Sequence, residues 1–165
     1  MASPLARAVE ITELAAPLDR RQSEPARAIQ RGVGRLMARL GFSVVTELTL
    51  ASGRRADVAA LGPAGEVWIV EIKSSVEDFR ADRKWPDYRQ HCDRLFFATH
   101  PAGVPLDRLP PATGIMLADG FNAEIIREAP EHRMPPATRR ALTLRFAHAA
   151  ARRFHLLADP GLASL

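Results

Sequence analysis

The chain has 165 residues, 47% hydrophobic and 25% charged, a balance typical of one soluble domain with a buried core. Its single cysteine, Cys92, excludes an internal disulfide and a cysteine-based zinc site. The net charge is +4, and arginine supplies nearly all of the cation because Lys73 and Lys84 are the only lysines. Such a surface favours a polyanionic partner, although the codon bias of a GC-rich genome explains the arginine content equally well.

The domain boundaries and the cellular location are also expectations from sequence. We expect a flexible lead-in over residues 1–22, one domain over 23–158 and a tail over 159–165. The first 17 residues lack the apolar core of a signal peptide, and no run approaches the roughly 18 apolar residues of a membrane span. The protein is therefore predicted to be cytoplasmic, with no membrane partner. No glycine-rich phosphate loop occurs, so we expect no nucleotide cofactor.

In chain order, the first predicted element is an amphipathic helix. Ser23 can cap it, and apolar residues recur at helical spacing from Ile29 to Leu40, where Gly41 ends it. Arginine recurs every fourth residue on the opposite face, at Arg27, Arg31, Arg35 and Arg39. This ladder predicts contacts with DNA phosphates, and a solvated helix face explains it at least as well.

The pattern then changes to the two-residue period of strands. Residues 42–50, 55–61 and 66–73 are rich in Val, Ile and Leu and are separated by glycine turns, which predicts an antiparallel meander. Ser75 opens a further helical stretch. Because Pro86 interrupts that stretch, we expect a second short helix from Pro86 to about Cys92.

The second half predicts three more strands and a last helix. Residues 94–99 form a short buried strand, and 114–118 and 122–127 form a strand, a turn and a strand after a proline-rich loop. A final helix starts at Pro135–Pro136 and reaches about Leu157. This order predicts an α/β fold in which α-helices flank a mixed β-sheet.

The residues that predict chemistry are Asp57, Glu71 and Lys73. Strand alternation places Glu71 and Lys73 on one face, and Asp57 lies on the preceding strand of the meander, about 4.8 Å away if the strands are adjacent. Two such carboxylates can reach one cation, and their hard oxygen atoms suit Mg²⁺ or Mn²⁺. Lys73 would position the attacking water or stabilise the developing charge. The alternative is an ordinary cross-strand salt bridge at a strand end.

Four segments, taken with the preceding helix and Glu47, resemble the PD-(D/E)XK nuclease superfamily and, more narrowly, the MmcB family of DNA-repair endonucleases. They are GRRAD at 53–57, EIKSS at 71–75, DFRADRKW at 78–85 and CDRLFFA at 92–98. The resemblance covers about residues 23–157. Ala56 stands where the superfamily's name places proline, at a position that varies among its members.

The resemblance implies a restriction-endonuclease-like fold and a Mg²⁺-dependent DNA endonuclease that acts in repair. In that function Asp57, Glu71 and Lys73 are catalytic, Asp57 and Glu71 hold the metal, and DNA is the partner, with repair proteins as further partners. The alternative is a catalytically silent module of the same fold that binds DNA or a repair protein.

Two further acids and three further cations are candidates. Glu47 has the strand parity to face Asp57, and the alternative is a surface charge on an edge strand. Glu24 resembles a glutamate that some superfamily members place on the first helix, and the alternative is that it complements the helix dipole. The additional candidates for DNA phosphate contact are Arg55, Arg80 and Lys84. Trp85 and Tyr88 are expected to pack as a partly buried anchor, with stacking on DNA or phosphate contact as the alternative, and Cys92 is expected to be a small core residue.

Overall fold

The described part of the chain, residues 22–164 of the computed structural model, forms one sheet with helices on both faces. The strands are β1 (Ser43–Thr49), β2 (Arg55–Leu61), β3 (Val67–Ile72), β4 (Arg94–Thr99), β5 (Gly114–Ala118) and β6 (Ala123–Arg127). The α-helices are α1 (Glu24–Arg39), α2 (Val76–Ala81) and α3 (Pro136–Ala158). Short 3-10 helices span Trp85–His91, Leu106–Arg108 and Pro160–Ser164. The predicted lead-in falls outside the described residues except for Gln22.

The strands lie side by side in the order in which they occur in the chain. β1, β2 and β3 form the predicted antiparallel meander, and the turns between them use Gly53 and Gly65 at positive φ. β3, β4 and β5 are parallel neighbours, and β6 returns antiparallel to β5. The predicted α/β fold, a mixed sheet with flanking helices, is therefore confirmed.

The alternation of β3 separates two apolar cores. Val70 and Ile72 face the core beneath α1, whereas Val67 and Ile69 face the core beneath α3. Each of these side chains is almost completely buried, and burying a Val or Ile contributes about 1.5–3 kcal/mol. Both faces of β3 thus pack against apolar cores. This packing fixes the direction in which the side chains of the polar residues at the end of the strand point.

α1 begins where the sequence predicts and comes very close to the β5–β6 turn. The Ser23 hydroxyl accepts a hydrogen bond from Ala26 N at 3.4 Å, so Ser23 caps the helix. A Cβ at Gly32 would lie 2.3 Å from the carbonyl oxygen of Asp119 and 2.4 Å from that of Asn122. Glycine is therefore required at position 32 for this close approach.

The segment after β3 forms two short helices, on either side of residues 82–84, as the sequence predicts. The second of them, over Trp85–His91, is a 3-10 helix, a type that the sequence did not specify. Trp85 packs edge-on against Phe97, and Tyr88, three residues later, is buried in the core beneath α3. A spacing of three residues matches the 3-10 period, so these two anchors favour the tighter helix.

α3 covers the other face of the sheet over 23 residues. Its buried side chains are Leu142, Phe146 and Ala149, which are spaced at three to four residues as an amphipathic helix requires. Within residues 22–164, α3 and the other helices all fall short of the length and apolarity that a membrane span needs.

Candidate active site

Asp57 and Glu71 lie opposite each other at the end of the β2–β3 hairpin. The register pairs Val58 with Val70, so the next pair outward is Asp57 with Glu71. The backbone N–H of Ile72 donates to Asp57 Oδ2 at 2.8 Å, and the backbone N–H of Asp57 donates to Glu71 Oε1 at 3.2 Å. Each carboxylate is thereby fixed by the neighbouring strand.

The two carboxyl groups concentrate negative charge in a place with little water. Burial raises the pKa of Asp57 to about 6, and the hydrogen bond from Ile72 opposes that rise. Burial and the charge of Asp57 together raise the pKa of Glu71 well above its usual range. Two adjacent buried carboxylates ionise together only when positive charge compensates them.

Lys73 follows β3 directly and is held by α2. Its backbone N–H donates to Ala98 O at 2.9 Å, and its Nζ lies 2.7 Å from Asp82 Oδ2, with the two side chains 7% and 14% exposed. Burial alone would lower the pKa of Lys73, but the hydrogen bond with Asp82 raises it, and the same bond lowers the pKa of Asp82 despite burial. Both groups are therefore charged.

The three predicted catalytic residues line one cavity of about 440 Å³. Gln22, Ser23 and Ala26 at the start of α1 form one wall, and Asp78, Asp82, Lys84 and Tyr88 form another. The Tyr88 hydroxyl donates to Arg55 O at 3.2 Å, which ties the 3-10 helix to β2. The cavity thus contains four carboxylates and two ammonium groups within reach of solvent.

Glu47 occupies an unusual backbone position beside this cavity. It has a φ of +52°, and the β1–β2 register is interrupted at this residue between Thr46 and Leu48. Its carboxylate is 7% exposed and lies 2.6 Å from Arg55 Nε. Left-handed backbone at a non-glycine residue is a strained feature that concentrates at functional sites. Glu47 is near enough to Asp57 to raise its pKa further, but it does not line the cavity.

Glu24 lies outside the cavity, with its side chain 67% exposed and within 3.4 Å of both Arg27 and Arg31. The ladder of arginines on α1 is therefore occupied by local partners. Arg35 donates to Phe121 O at 3.1 Å, and Arg39 donates to Asn122 Oδ1. These bonds attach α1 to the β5–β6 turn.

The three further candidates for phosphate contact, Arg55, Arg80 and Lys84, differ in their surroundings. Arg55 is engaged by Glu47, whereas Arg80 and Lys84 are exposed at the end of α2 and just after it. Lys84 lines the cavity directly. Of the predicted phosphate contacts, Lys84 is thus the one that the fold brings next to Asp57 and Glu71.

Two structurally important acids, Asp82 and Asp93, lie in the segments that carry the family resemblance, but no role was predicted for either from sequence. Asp82 forms an ion pair with Lys73. The sequence signal for its position is Phe79, three residues earlier, because Phe79 packs against Phe97 and so anchors α2. Asp93 accepts hydrogen bonds from Val67 N at 2.8 Å and Met134 N at 3.1 Å, and forms a bidentate pair with Arg139 at 2.6 and 2.7 Å. It joins β3, the segment before α3 and α3 itself.

The chain matches a family model over most of its length. The model of the MmcB-like DNA repair proteins matches residues 13–161. The chain belongs to the MmcB-like family of DNA repair proteins. No curated protein matches the chain.

Solved structures include a relative of this MmcB-like chain. A protein of unknown function from Silicibacter pomeroyi is 44% identical, with a TM-score of 0.81 over 87% of this chain and 96% of that one. A repair endonuclease from Pyrococcus abyssi is 16% identical, with a TM-score of 0.32 over 50% of this chain and 40% of that one. The first likeness extends over nearly the whole of the domain.

Proposed function

We propose that this MmcB-like protein is a divalent-metal-dependent DNA endonuclease of the PD-(D/E)XK type that acts in DNA repair. The observation that supports this best is the Asp57–Glu71 pair. Two carboxylates on adjacent strands are fixed by backbone hydrogen bonds, and both have raised pKa values because little water reaches them. Family membership supplies DNA repair as the context.

The residues present fit Mg²⁺ or Mn²⁺. Asp57 and Glu71 offer hard oxygen ligands, and their shared buried charge is the kind that a divalent cation neutralises. Within residues 22–164, no group of three His, Cys, Asp or Glu side chains is placed to hold a metal ion, so water and a DNA phosphate would complete the coordination. When bound, the ion would supply Lewis-acid activation of the phosphate and of the attacking water.

Lys73 would act on the charge that develops at the scissile phosphate. Its ammonium group is buried, charged and fixed by Asp82 at the cavity wall. A positive group held in place before the reaction stabilises a developing negative charge without reorganisation, which is the largest electrostatic contribution to many reactions. Arg80 and Lys84 would hold the DNA backbone at the cavity mouth.

A second function, a module that binds DNA or a repair protein without cutting, is favoured by the same ion pair. Lys73 Nζ is engaged by Asp82 and is not shared between Asp57 and Glu71. The Asp82 carboxylate offsets part of the positive charge of Lys73, which would weaken the stabilisation that Lys73 can give to a scissile phosphate. The two functions differ in whether phosphodiester bonds are broken.

The experiment is a cleavage assay over plain, gapped, flapped and branched DNA with Mg²⁺ or Mn²⁺. The proposal expects the wild type to cut at least one substrate and Asp57→Asn, purified in parallel, to cut none. A wild type that binds DNA and cuts no member of the panel would favour the binding module. Equal cutting by Asp57→Asn would indicate a contaminating nuclease and contradict the assignment of the site.

A further inference from the structure

A second concave surface lies at the start of α3, away from the carboxylates. Three adjoining cavities of about 710, 380 and 310 Å³ share Met134, Pro135 or Thr138 as walls. We call this surface the basic groove. Its charged and titratable lining residues are Arg89, His91, His132, Arg133, Arg139, Arg140 and Arg145.

The charge of the basic groove is of one sign. In the part of the chain that the structure describes, no Asp or Glu lines any of its three cavities, whereas the candidate active site is lined by four carboxylates. Arg139 is neutralised by Asp93. Arg133 and Arg140 are exposed and form no hydrogen bond or ion pair with another residue of the described range 22–164. An unbalanced concave cationic surface attracts a polyanion.

The backbone also contributes positive charge to the groove, because the N-terminal end of α3 lies there. α3 starts at Pro136, with Pro135 as its N-cap, no side-chain cap and no acidic residue in its first turn. No residue of α3 itself therefore caps this positive helix end, and the Asp93 carboxylate reaches it only through Met134 N and the Arg139 side chain. Phosphate groups are ligands that such a helix end accommodates.

The groove and the candidate active site lie on either side of one short helix. Tyr88 lines the carboxylate cavity, and Arg89, Gln90 and His91 line the groove. Arg139 of the groove donates to Gly65 O, just before β3, and Glu71 lies six residues further on at the end of β3; six residues span at most about 20 Å, or roughly six nucleotide steps of a DNA strand. One DNA molecule is long enough to reach both.

The arginines of α1 offer a direct contrast. Arg27 and Arg31 are within 3.4 Å of Glu24, and Arg35 donates to a backbone carbonyl. A phosphate would have to displace those partners, whereas Arg133 and Arg140 have none to displace. Both surfaces are rich in arginine, but in the groove the two exposed arginines Arg133 and Arg140 are available to a ligand without the loss of a side-chain partner.

We propose that the basic groove binds the sugar–phosphate backbone of DNA whose scissile bond lies in the Asp57–Glu71 cavity. The proposal rests on the proposed function in taking DNA as the ligand and the Asp57–Glu71 cavity as the place of the scissile bond. It assigns Arg133 and Arg140 as phosphate contacts and predicts that they contribute more than Arg27 and Arg31.

The test measures binding without cutting. A fluorescein-labelled duplex of roughly 20 base pairs, about two helical turns, is titrated by anisotropy in EDTA at several KCl concentrations. Each phosphate contact contributes about 0.9 to the salt slope, so Arg133→Ala/Arg140→Ala should lower the slope by about 2. The matched variant Arg27→Ala/Arg31→Ala removes the same charge from α1 and should change the slope by less than about 1.

The outcomes separate this inference from the proposed function. A groove variant with the wild-type slope, a larger loss in the α1 variant, or a wild type that binds no duplex would each overturn the inference. A groove variant that loses DNA affinity supports it whether or not the wild type cuts. Circular dichroism of both variants confirms that the fold is retained, since all four arginines are exposed.

Discussion

The backbone N–H of Asp57 donates a hydrogen bond to Glu71 Oε1 at 3.2 Å, which holds the Glu71 carboxylate against the strand that carries Asp57. Mn²⁺ should bind between the two carboxyl groups, because a divalent cation relieves their repulsion. In calorimetry, Asp57→Asn and Glu71→Gln should each abolish the binding isotherm, whereas Asp107→Asn, at an exposed position, should match the wild type. Unchanged binding in Asp57→Asn would exclude this metal site.

Burial of the Asp57 carboxylate predicts that Asp57 destabilises the metal-free protein at neutral pH. Its pKa is raised from 3.8 to about 6, so the folded state binds more protons between these values and the free energy of unfolding falls as pH rises through them. Asp57→Asn should therefore raise the free energy of unfolding at pH 7 by about 1–2 kcal/mol, and the gain should vanish near pH 4. Urea denaturation in EDTA measures both. A less stable variant at pH 7 would contradict the assignment.

The Asp93–Arg139 pair is expected to give the opposite dependence of the free energy of unfolding on pH. The pKa of Asp93 is lowered although burial opposes this, because Arg139 and two backbone N–H groups bind the carboxylate. Its stabilisation is therefore present above the ordinary carboxyl pKa and is lost as pH falls through the folded value. Asp93→Ala should cost about 3–5 kcal/mol at pH 7, as measured by urea denaturation.

The control for this pair is Asp107→Ala, which should stay within about 0.5 kcal/mol of the wild type. The deficit of Asp93→Ala should shrink when the measurement is repeated in acid. A cost below about 1 kcal/mol at neutral pH would mean that the pair behaves as an exposed salt bridge.

The contact of α1 with the β5–β6 turn can be tested with two glycines on one helix. A methyl group at Gly32 would meet two backbone carbonyls, whereas at Gly34 it would meet nothing within 4 Å. Gly32→Ala should lower the free energy of unfolding by about 1–3 kcal/mol, and Gly34→Ala should raise it by up to about 1 kcal/mol because alanine favours helix. Thermal unfolding of the two variants should shift in opposite directions. Equal shifts would contradict the close approach.

The elements could be predicted from sequence because their signals are local. The helical period after Ser23, the two-residue period of the meander and the glycine turns all act over a few residues, and they also bring Asp57 next to Glu71. The 3-10 form of Trp85–His91 was missed because it depends on where Phe97 and the core lie. Tertiary packing decided between two helix types that proline permits equally.

The partners of the charged residues could not be predicted because they are distant in sequence. Arg39 binds Asn122, and Asp93 binds Arg139. The left-handed conformation of Glu47 likewise has no local signal in a strand rich in Val and Thr. The metal-ligand and catalytic roles of Asp57, Glu71 and Lys73 stay predictions, since proximity alone does not distinguish catalysis from binding.

Substitution of Lys73 tests most directly whether the cavity cuts DNA. If the ammonium acts mainly in the transition state, Lys73→Ala should keep DNA and Mn²⁺ affinity near those of the wild type and lower the cleavage rate by about 100-fold or more. The measurement is single-turnover cleavage of the best substrate of the panel, beside anisotropy and calorimetry on the same preparations. A wild type that binds DNA but cuts nothing that Lys73→Ala does not also cut would contradict the endonuclease.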